Sequence, residues 1–240
     1  MRHQPRSWPA VAMLLAALAM VAIPAQATVL GTYSDRTTWE GVTSGRTDID
    51  FESLGIGVGG YTSYSTSAGL AIGGVQFVGV LDPSTYFLYA LNPPSGASED
   101  YGSSTVLKGP ELRPTSYLLV NLGPGVTSFG VDLMTIFPAG SMISIFLDGV
   151  QVGMVSTQSK PTRTFFGVQT DTAFSQIKFV LSSGTTYSTQ ILLDNFAYGA
   201  AMSGGPTPPA ETVEVTTLLY VGTGIGLLGW TRRRRDLMAS

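Results

Sequence analysis

The segment MISIFLDGVQVGMV, residues 142–155, constrains the fold more than any other part of the chain. Asp148-Gly149 predicts a two-residue hairpin turn, because type I′ geometry needs positive φ at both central positions. The cross-strand pairs that such a loop predicts are Leu147–Val150, Ile145–Val152 and Ile143–Met154. These six side chains would share one face of the hairpin, and that face must be the core face.

Further short segments rich in Val, Ile and Phe predict additional strands: SFGVDLMTI, FFGVQ, SQIKFVL and ILLDNFAY. Turn signals separate them at short intervals. A short helix is predicted over Asp35–Val42 with Ser34 as its cap, and no other segment of the central domain has a sustained helical period. The sequence therefore predicts an all-β fold over residues 28–200, an antiparallel β-sandwich that is jelly-roll-like.

Residues 1–27 have the three-part pattern of a secretory signal peptide. Arg2 and Arg6 precede an uninterrupted apolar run from Val11 to Ile23, and Ala25 and Ala27 follow as small residues before a cleavage point. We expect cleavage after Ala27. An uncleaved N-terminal anchor is the alternative, but the run is shorter than the roughly 20 residues that a bilayer requires.

Composition excludes several kinds of site from the exported part. The chain has no cysteine, and its single histidine, His3, leaves with the signal peptide. That excludes a Ser-His-Asp triad, a cysteine nucleophile, His/Cys zinc sites, haem and iron–sulfur clusters. Four of the 13 Lys and Arg residues lie in the C-terminal tail, so the central domain is acidic and is not expected to bind nucleic acid.

The C-terminal region predicts a linker followed by a membrane segment. Residues 201–212 are rich in Gly, Pro and Ala and predict a linker. Within 213–240, the stretch from Val215 to Trp230 has no charged residue and predicts a transmembrane helix. The basic residues that follow, which would remain cytoplasmic, are Arg232, Arg233, Arg234 and Arg235. This tail could be a plain single-pass anchor or a transient sorting signal.

The tail resembles a PEP-CTERM sorting domain, which is found on exported proteins of Gram-negative bacteria and is processed by an exosortase. The motif PTPPAET supplies Pro208, Pro209 and Glu211 before the helix, although a strict Pro-Glu-Pro is absent. YSDRTTWEGVTSGRTDIDFESLG, GVTSFGVDL, FFGVQTDTAFSQIKFV and LLDNFAYG are also similar to the sandwich domain of that family. The resemblance implies a transient inner-membrane intermediate, then delivery to the cell surface or extracellular matrix.

Two candidate sites can be named in the central domain. Loop and strand tyrosines could stack on sugar rings, although Tyr is also common in β proteins; they are Tyr61, Tyr64, Tyr86, Tyr89 and Tyr101. In carbohydrate-binding jelly rolls, an early acidic residue and a late aspartate often share a structural calcium. By that resemblance of architecture, Glu52 and Asp194 could be calcium ligands; otherwise Asp194 caps a turn and Glu52 is merely exposed.

We expect a non-catalytic surface or extracellular-matrix protein of a bacterium that makes exopolysaccharide. The first alternative is a carbohydrate-binding module that acts on exopolysaccharide. The second is a glycosidase that uses a carboxylate pair, but no spacing in the sequence singles out such a pair.

Overall fold

The computed structural model describes residues 27–64, 68–81, 84–86, 88–94, 104–111, 116–136, 140–158, 162–183 and 190–202. These ranges belong to the first of two units, Met1–Thr207, and the second unit is Pro208–Ser240. The predicted signal peptide up to residue 26, the sorting motif and the tail therefore lie outside the described residues. Within the described ranges, no helix is both long enough and apolar enough to cross a membrane.

Strands dominate the described part of the chain. Its two helical elements are α1 (Arg36–Glu40) and a 3₁₀ helix (Phe51–Leu54). The strands are β1 (Val29–Tyr33), β2 (Thr43–Ile49), β3 (Tyr61–Tyr64), β4 (Leu70–Ile72), β5 (Val75–Leu81), β6 (Ser84–Tyr86), β7 (Leu88–Leu91), β8 (Val106–Glu111), β9 (Ser116–Asn121), β10 (Ser128–Thr135), β11 (Met142–Leu147), β12 (Val150–Ser156), β13 (Thr164–Thr170), β14 (Gln176–Ser183) and β15 (Gln190–Ala201).

The strands form two sheets, and the described pairings are all antiparallel. The eight-stranded sheet has the order β1-β13-β10-β15-β8-β7-β3, with β2 paired to β15 beside that path. The seven-stranded sheet has the order β12-β11-β14-β9-β5-β4, with β6 paired to β5. The all-β, antiparallel prediction is confirmed.

One hydrophobic core lies between the two sheets. The eight-stranded sheet contributes Phe129, Leu133 and Phe196, and the seven-stranded sheet contributes Ile145 and Phe179, all of them buried. Alternate residues of these strands point the same way, so each strand sends every second side chain into this core. The resulting architecture is a β-sandwich, as the sequence predicted.

The β11–β12 hairpin has the predicted turn and a different register. Asp148 and Gly149 have φ of 44° and 88°, which fits a type I′ turn. Beyond the second pair, Phe146–Gln151, a β-bulge shifts the register, so that Ile145 pairs with Gly153 and Ile143 with Val155. The predicted pair Leu147–Val150 is therefore confirmed, and the predicted pairs Ile145–Val152 and Ile143–Met154 are wrong. Met154 is exposed instead of in the core.

Gly153, which lies directly beyond the bulge, packs closely against an aromatic ring. A Cβ at this glycine would lie 2.7 Å from ring atoms of Phe166, so the glycine leaves room for that ring. The extra residue on β12 is Val152, which lies between Gln151 and Gly153, and regular pairing continues beyond it. A sequence pattern of alternating residues does not reveal such a shift.

Helix α1 lies at the predicted position and has a different cap. Asp35, not Ser34, accepts hydrogen bonds from the backbone N–H and the hydroxyl of Thr38, at 2.8 and 2.7 Å. Trp39 of this helix is fully buried and donates its indole N–H to Ser128 Oγ at 2.9 Å. The helix therefore packs on the eight-stranded sheet through one aromatic side chain.

Candidate functional site

An aromatic cleft lies at one end of the eight-stranded sheet, where β3, β7 and β8 are neighbours. Tyr61 pairs with Leu91, Leu91 pairs with Val106, and Tyr89 pairs with Lys108. Cross-strand partners share a face, and Leu88, Ala90 and Leu107 occupy the opposite, core face. The two tyrosines and the lysine therefore lie on the outer face of the sandwich.

The two tyrosine rings contact each other in this cleft. Their centroids are 6.3 Å apart at an interplanar angle of 61°, an edge-on arrangement. Tyr61 is 71% exposed, whereas Tyr89 is half-buried. The cleft has a volume of about 280 Å³, and its described lining residues are Gly59, Gly60, Tyr61, Tyr89, Leu91, Pro93, Pro94 and Lys108.

Hydrogen bonds between two loops fix the walls of the cleft. Gly59 N donates to Asn92 O at 2.6 Å, and Asn92 N donates to Gly60 O at 3.1 Å. The Asn92 side chain donates from Nδ2 to Ile56 O at 2.9 Å. These bonds join the loop before β3 to the loop after β7, so the cleft is formed before any ligand arrives.

Among the other predicted tyrosines, Tyr64 and the strand that holds Tyr86 lie elsewhere in the described structure. Tyr64 is half-buried and packs against the main core, and its burial raises the pKa of its phenol above the ordinary value. Tyr86 belongs to β6, which pairs with β5 of the opposite sheet. Tyr101 lies outside the described residues. The sequence named Tyr61 and Tyr89 as residues that could stack on sugar rings, which stays a prediction, and it gave no signal that these two would meet.

Glu52 and Asp194 do come together, through the hydroxyl of Ser104. Ser104 Oγ lies 2.7 Å from Glu52 Oε1 and 2.8 Å from Asp194 Oδ2. Glu52 Oε1 also accepts from the backbone N–H of Thr105 at 2.8 Å. Asp194 is fully buried, and Arg163 Nη1 lies 2.9 Å from its Oδ2. The arginine supplies the positive charge that two neighbouring carboxylates require.

The topology of β15 explains why these groups meet. β8 pairs with β15 at Gln190–Leu193, and β2 pairs with the same strand from Phe196 onward. Between these two ladders, Asp194 and Asn195 are left without a strand partner on that side. The 3₁₀ helix that follows β2 brings Glu52 into this gap, and Ser104 and Thr105 precede β8.

Burial raises the pKa of the Asp194 carboxyl above its ordinary value. The Glu52 carboxylate raises it further, whereas Arg163, Ser104 and the N–H of Asn195 lower it in part. The Asn195 N–H donates to Asp194 Oδ1 at 2.7 Å. Both oxygens of Asp194 are thus already engaged by protein donors.

The donor set here is small for calcium, which takes six to eight oxygen ligands. Nowhere in the described ranges do three or more acidic, His or Cys side chains gather as a potential metal site. Calcium at Glu52 and Asp194 therefore stays a prediction. It requires the melting temperature of the protein to rise when calcium is added and to fall with EDTA, and an unchanged value would contradict it.

A second cleft, of about 410 Å³, lies beside helix α1 and is lined by Arg36, Glu40, Asp48, Ile49, Asp50, Asp132 and Asn195. Arg36 Nη2 lies 3.0 Å from Asp132 Oδ1 and 2.8 Å from Asn195 O, and its guanidinium stacks 4.6 Å from the Phe165 ring centroid. Asn195 Nδ2 donates to Asp132 Oδ2 at 2.8 Å. These bonds fix the left-handed Asn195, whose φ is 46°.

Sequence reasoning missed Lys108, Arg163 and Ser104. Lys108 carried a weak signal, because the alternation of TVLKGPE places it on the same face as Val106. Arg163 and Ser104 lie in loops, and their contacts with Asp194 join positions that are far apart in the chain. No local pattern marks such contacts.

Comparisons with known proteins define no family for this chain. No family model matches the sequence, and no curated protein matches it significantly. A solved structure described as a family 29 carbohydrate-binding module is 14% identical, with a TM-score of 0.36, and the alignment covers 59% of this chain and 89% of that one. An aspartate-to-alanine mutant of CBM29-2 complexed with mannohexaose aligns similarly, with 14% identity, a TM-score of 0.36, and coverage of 59% and 92%.

An arabinoxylan arabinofuranohydrolase of glycoside hydrolase family 43 from Bacillus subtilis, in complex with cellotetraose, also aligns. It is 19% identical with a TM-score of 0.31, and the alignment covers 46% of this chain and 24% of the enzyme. All three TM-scores are below 0.5, so these likenesses indicate neither a ligand nor an activity for this chain.

Proposed function

We propose that this protein is an exported, non-catalytic β-sandwich that binds polysaccharide through the cleft of Tyr61 and Tyr89. The exposure of Tyr61 carries the proposal. Its ring is 71% exposed and stands beside a second tyrosine in a cleft with fixed walls. An aromatic ring that is left in water recovers free energy when an apolar surface covers it, and sugar rings offer apolar faces.

The lining of the cleft supports binding rather than hydrolysis. A glycosidase needs two carboxyl groups on either side of the scissile bond. None of the described residues that line the tyrosine cleft is a carboxylate. The Glu52–Asp194 pair also fits hydrolysis poorly, because Asp194 is fully buried and bonded to Arg163.

The direct test is retention of the full chain, purified in mild detergent, on a panel of immobilised polysaccharides that includes the exopolysaccharide of its own host. Tyr61→Ala should weaken binding about tenfold or more, the change expected if the ring supplies about 1.4 kcal/mol. Tyr117→Ala is the matched control, since Tyr117 is a half-buried tyrosine of the opposite sheet. Retention that is equal for all three proteins would contradict the proposal.

For delivery, we propose that the tail acts as a PEP-CTERM-type sorting signal. Pro208, Pro209 and Glu211 would be read by an exosortase, Val215 to Trp230 would hold the chain in the inner membrane, and Arg232 to Arg235 would fix its orientation. The intact mass of the protein from its host should show loss of the segment beyond about Glu211 only when the exosortase is present. Retention of the tail in both strains would leave a single-pass anchor.

A further inference from the structure

We infer that the tyrosine cleft selects a polysaccharide that carries carboxylate groups, and that Lys108 makes this selection. The inference rests on the proposed function, because it names the substrate class of the same cleft. Lys108 is the one charged side chain among the described residues that line the cleft. The remaining lining is aromatic, apolar or glycine.

The register places Lys108 beside the aromatic pair. It lies opposite Tyr89 on β7 and opposite Leu192 on β15, so it shares their face of the sheet. Its neighbours on that face include a cluster of apolar side chains; the buried members are Leu91, Val106, Met134, Ile136 and Leu192. Lys108 itself is half-buried, so it belongs to a partly dehydrated surface, where charge interactions are stronger than in bulk water.

The second cleft has the opposite balance of charge. The second cleft is lined by Glu40, Asp48, Asp50 and Asp132 and holds one arginine. An acidic polymer is repelled from such a surface and attracted to the cleft that offers a cation. A sugar ring stacked on Tyr61 with its carboxylate toward Lys108 would use both kinds of contact in this cleft.

The test compares two polymers of one backbone, polygalacturonate and its fully methyl-esterified form. The full chain in mild detergent should bind polygalacturonate at least severalfold more tightly, and the preference should shrink as salt screens the charge. Lys108→Met should lose the preference, because it should weaken the binding of polygalacturonate more than the binding of the ester. Lys178→Met is the matched control, because Lys178 also lies beside a tyrosine, 4.4 Å from the Tyr117 ring centroid, on the opposite sheet.

The outcomes separate the two claims. Equal binding of the acid and the ester by the unmodified protein, or a preference that Lys108→Met leaves intact, would overturn the selection of acidic sugars. Binding that remains sensitive to Tyr61→Ala in that case would still support the cleft as the polysaccharide site. Binding that neither Tyr61→Ala nor Lys108→Met alters would overturn both.

A different observation, at the other end of the sheet, concerns the processed N-terminus. Thr28 N donates to Asp171 Oδ1 at 2.8 Å, and Asp171 N donates to Thr28 O at 3.0 Å. Thr28 is the residue that follows the predicted cleavage point after Ala27. We infer that Asp171 binds the α-ammonium group that signal-peptide cleavage creates, so that removal of the leader adds an ion pair at this edge of the sheet.

The geometry around Asp171 suits this role. The contact lies directly before β1 and directly after β13, next to the Val29–Thr170 pair. Hydrogen bonds from Thr28, and then from Thr172, lower the pKa of the Asp171 carboxyl. The carboxylate is therefore charged at neutral pH and stabilises a positive group at the position of Thr28 N.

Labelling of the α-amine in the host-processed protein tests this inference. Mass spectrometry should find Thr28 as the first residue. Acylation of its amine near neutral pH should be up to about tenfold faster in Asp171→Asn, because an amine that loses an ion pair has a lower pKa. Asp148→Asn is the control, since that carboxylate bonds to Ser175 in the described structure. A different first residue, or equal labelling rates, would overturn the inference.

Discussion

Asp194 shows how one residue can hold several segments together. Its carboxylate is fully buried and receives bonds from Arg163, Ser104 and the N–H of Asn195. Arg163 and Ser104 lie in two different loops, and Asp194 lies on β15 between the ladders of β8 and β2. The carboxylate therefore joins both loops to this part of the sheet. Burying a charge in this way is costly unless its partners are all present.

The pKa of Asp194 leads to a prediction about stability and pH. Because burial raises this pKa in the folded state, its contribution to the free energy of unfolding is complete below about pH 4 and is lost as the pH rises through the folded pKa. Asp194→Asn cannot ionise. Urea unfolding from about pH 3.5 to 7 should therefore show wild type losing stability relative to this variant as the pH rises.

Asp48→Asn is the control for removing any carboxylate from an acidic domain, because Asp48 is 57% exposed and pairs with Arg46. The stability of this variant relative to wild type is the reference for the change measured in Asp194→Asn. A difference between wild type and Asp194→Asn that stays constant over the whole range would contradict the prediction.

The sequence predicted some members of the Asp194 cluster and not others. Glu52 and Asp194 were named together by resemblance to carbohydrate-binding jelly rolls, and in the fold both carboxylates bond to the hydroxyl of Ser104. Arg163 and Ser104 complete the cluster and were not predictable. They contribute through contacts between loops, and no periodic pattern selects loop residues.

Helix α1 packs on two glycines of the strands beneath it. Trp39 is seated over Gly130 of β10 and Gly167 of β13, which are directly paired across the sheet. A Cβ at Gly130 would lie 2.9 Å from the Trp39 ring, and one at Gly167 would lie 2.7 Å from it. The glycine pair is thus a groove in the sheet, and the helix docks by filling it.

The groove leads to a prediction about the stability effect of adding one methyl group at Gly167. Gly167→Ala should lower the free energy of unfolding by about 1–3 kcal/mol, because the side chain overpacks a site whose neighbours are buried. The midpoint of urea unfolding measures the change. Gly123→Ala is the matched control, since a Cβ there meets no atom within 4 Å and the change should be small.

Equal stability of the two alanine variants would mean that helix α1 does not depend on the groove. The sequence predicted the helix itself over Asp35–Val42, although with Ser34 instead of Asp35 as its cap. It did not predict the groove, because Gly130 and Gly167 are read separately as ordinary strand interruptions and acquire meaning only through the pairing of β10 with β13.

At the scale of the whole molecule, hydrophobic patterning predicted the sandwich well. Alternating apolar residues with tight turns specify antiparallel strands, and the observed sheets follow. The exact register was harder, since the bulge after Asp148-Gly149 moves Met154 from the predicted core face to the surface. The order of strands in each sheet depends on pairings between distant segments, and this sequence offered no signal for it.

Two clefts of the described structure differ in charge. The tyrosine cleft lies at the β3 end of the eight-stranded sheet and has a cation, whereas the second cleft lies beside α1 and is mainly acidic. Two tyrosines that are distant in sequence form the first because β3 and β7 are adjacent. We propose that polysaccharide binds to this cleft and not to the acidic one.

Mapping the bound polysaccharide by NMR tests that claim most directly. Amide signals of Gly59 and Gly60, which line the tyrosine cleft, should shift as a bound oligosaccharide is titrated, together with those of Tyr89 and Lys108. Gly149, in the turn of the opposite sheet, should not shift. Shifts that gather around Asp132 and Asn195, or around Gly149, with the tyrosine cleft unchanged would contradict the account.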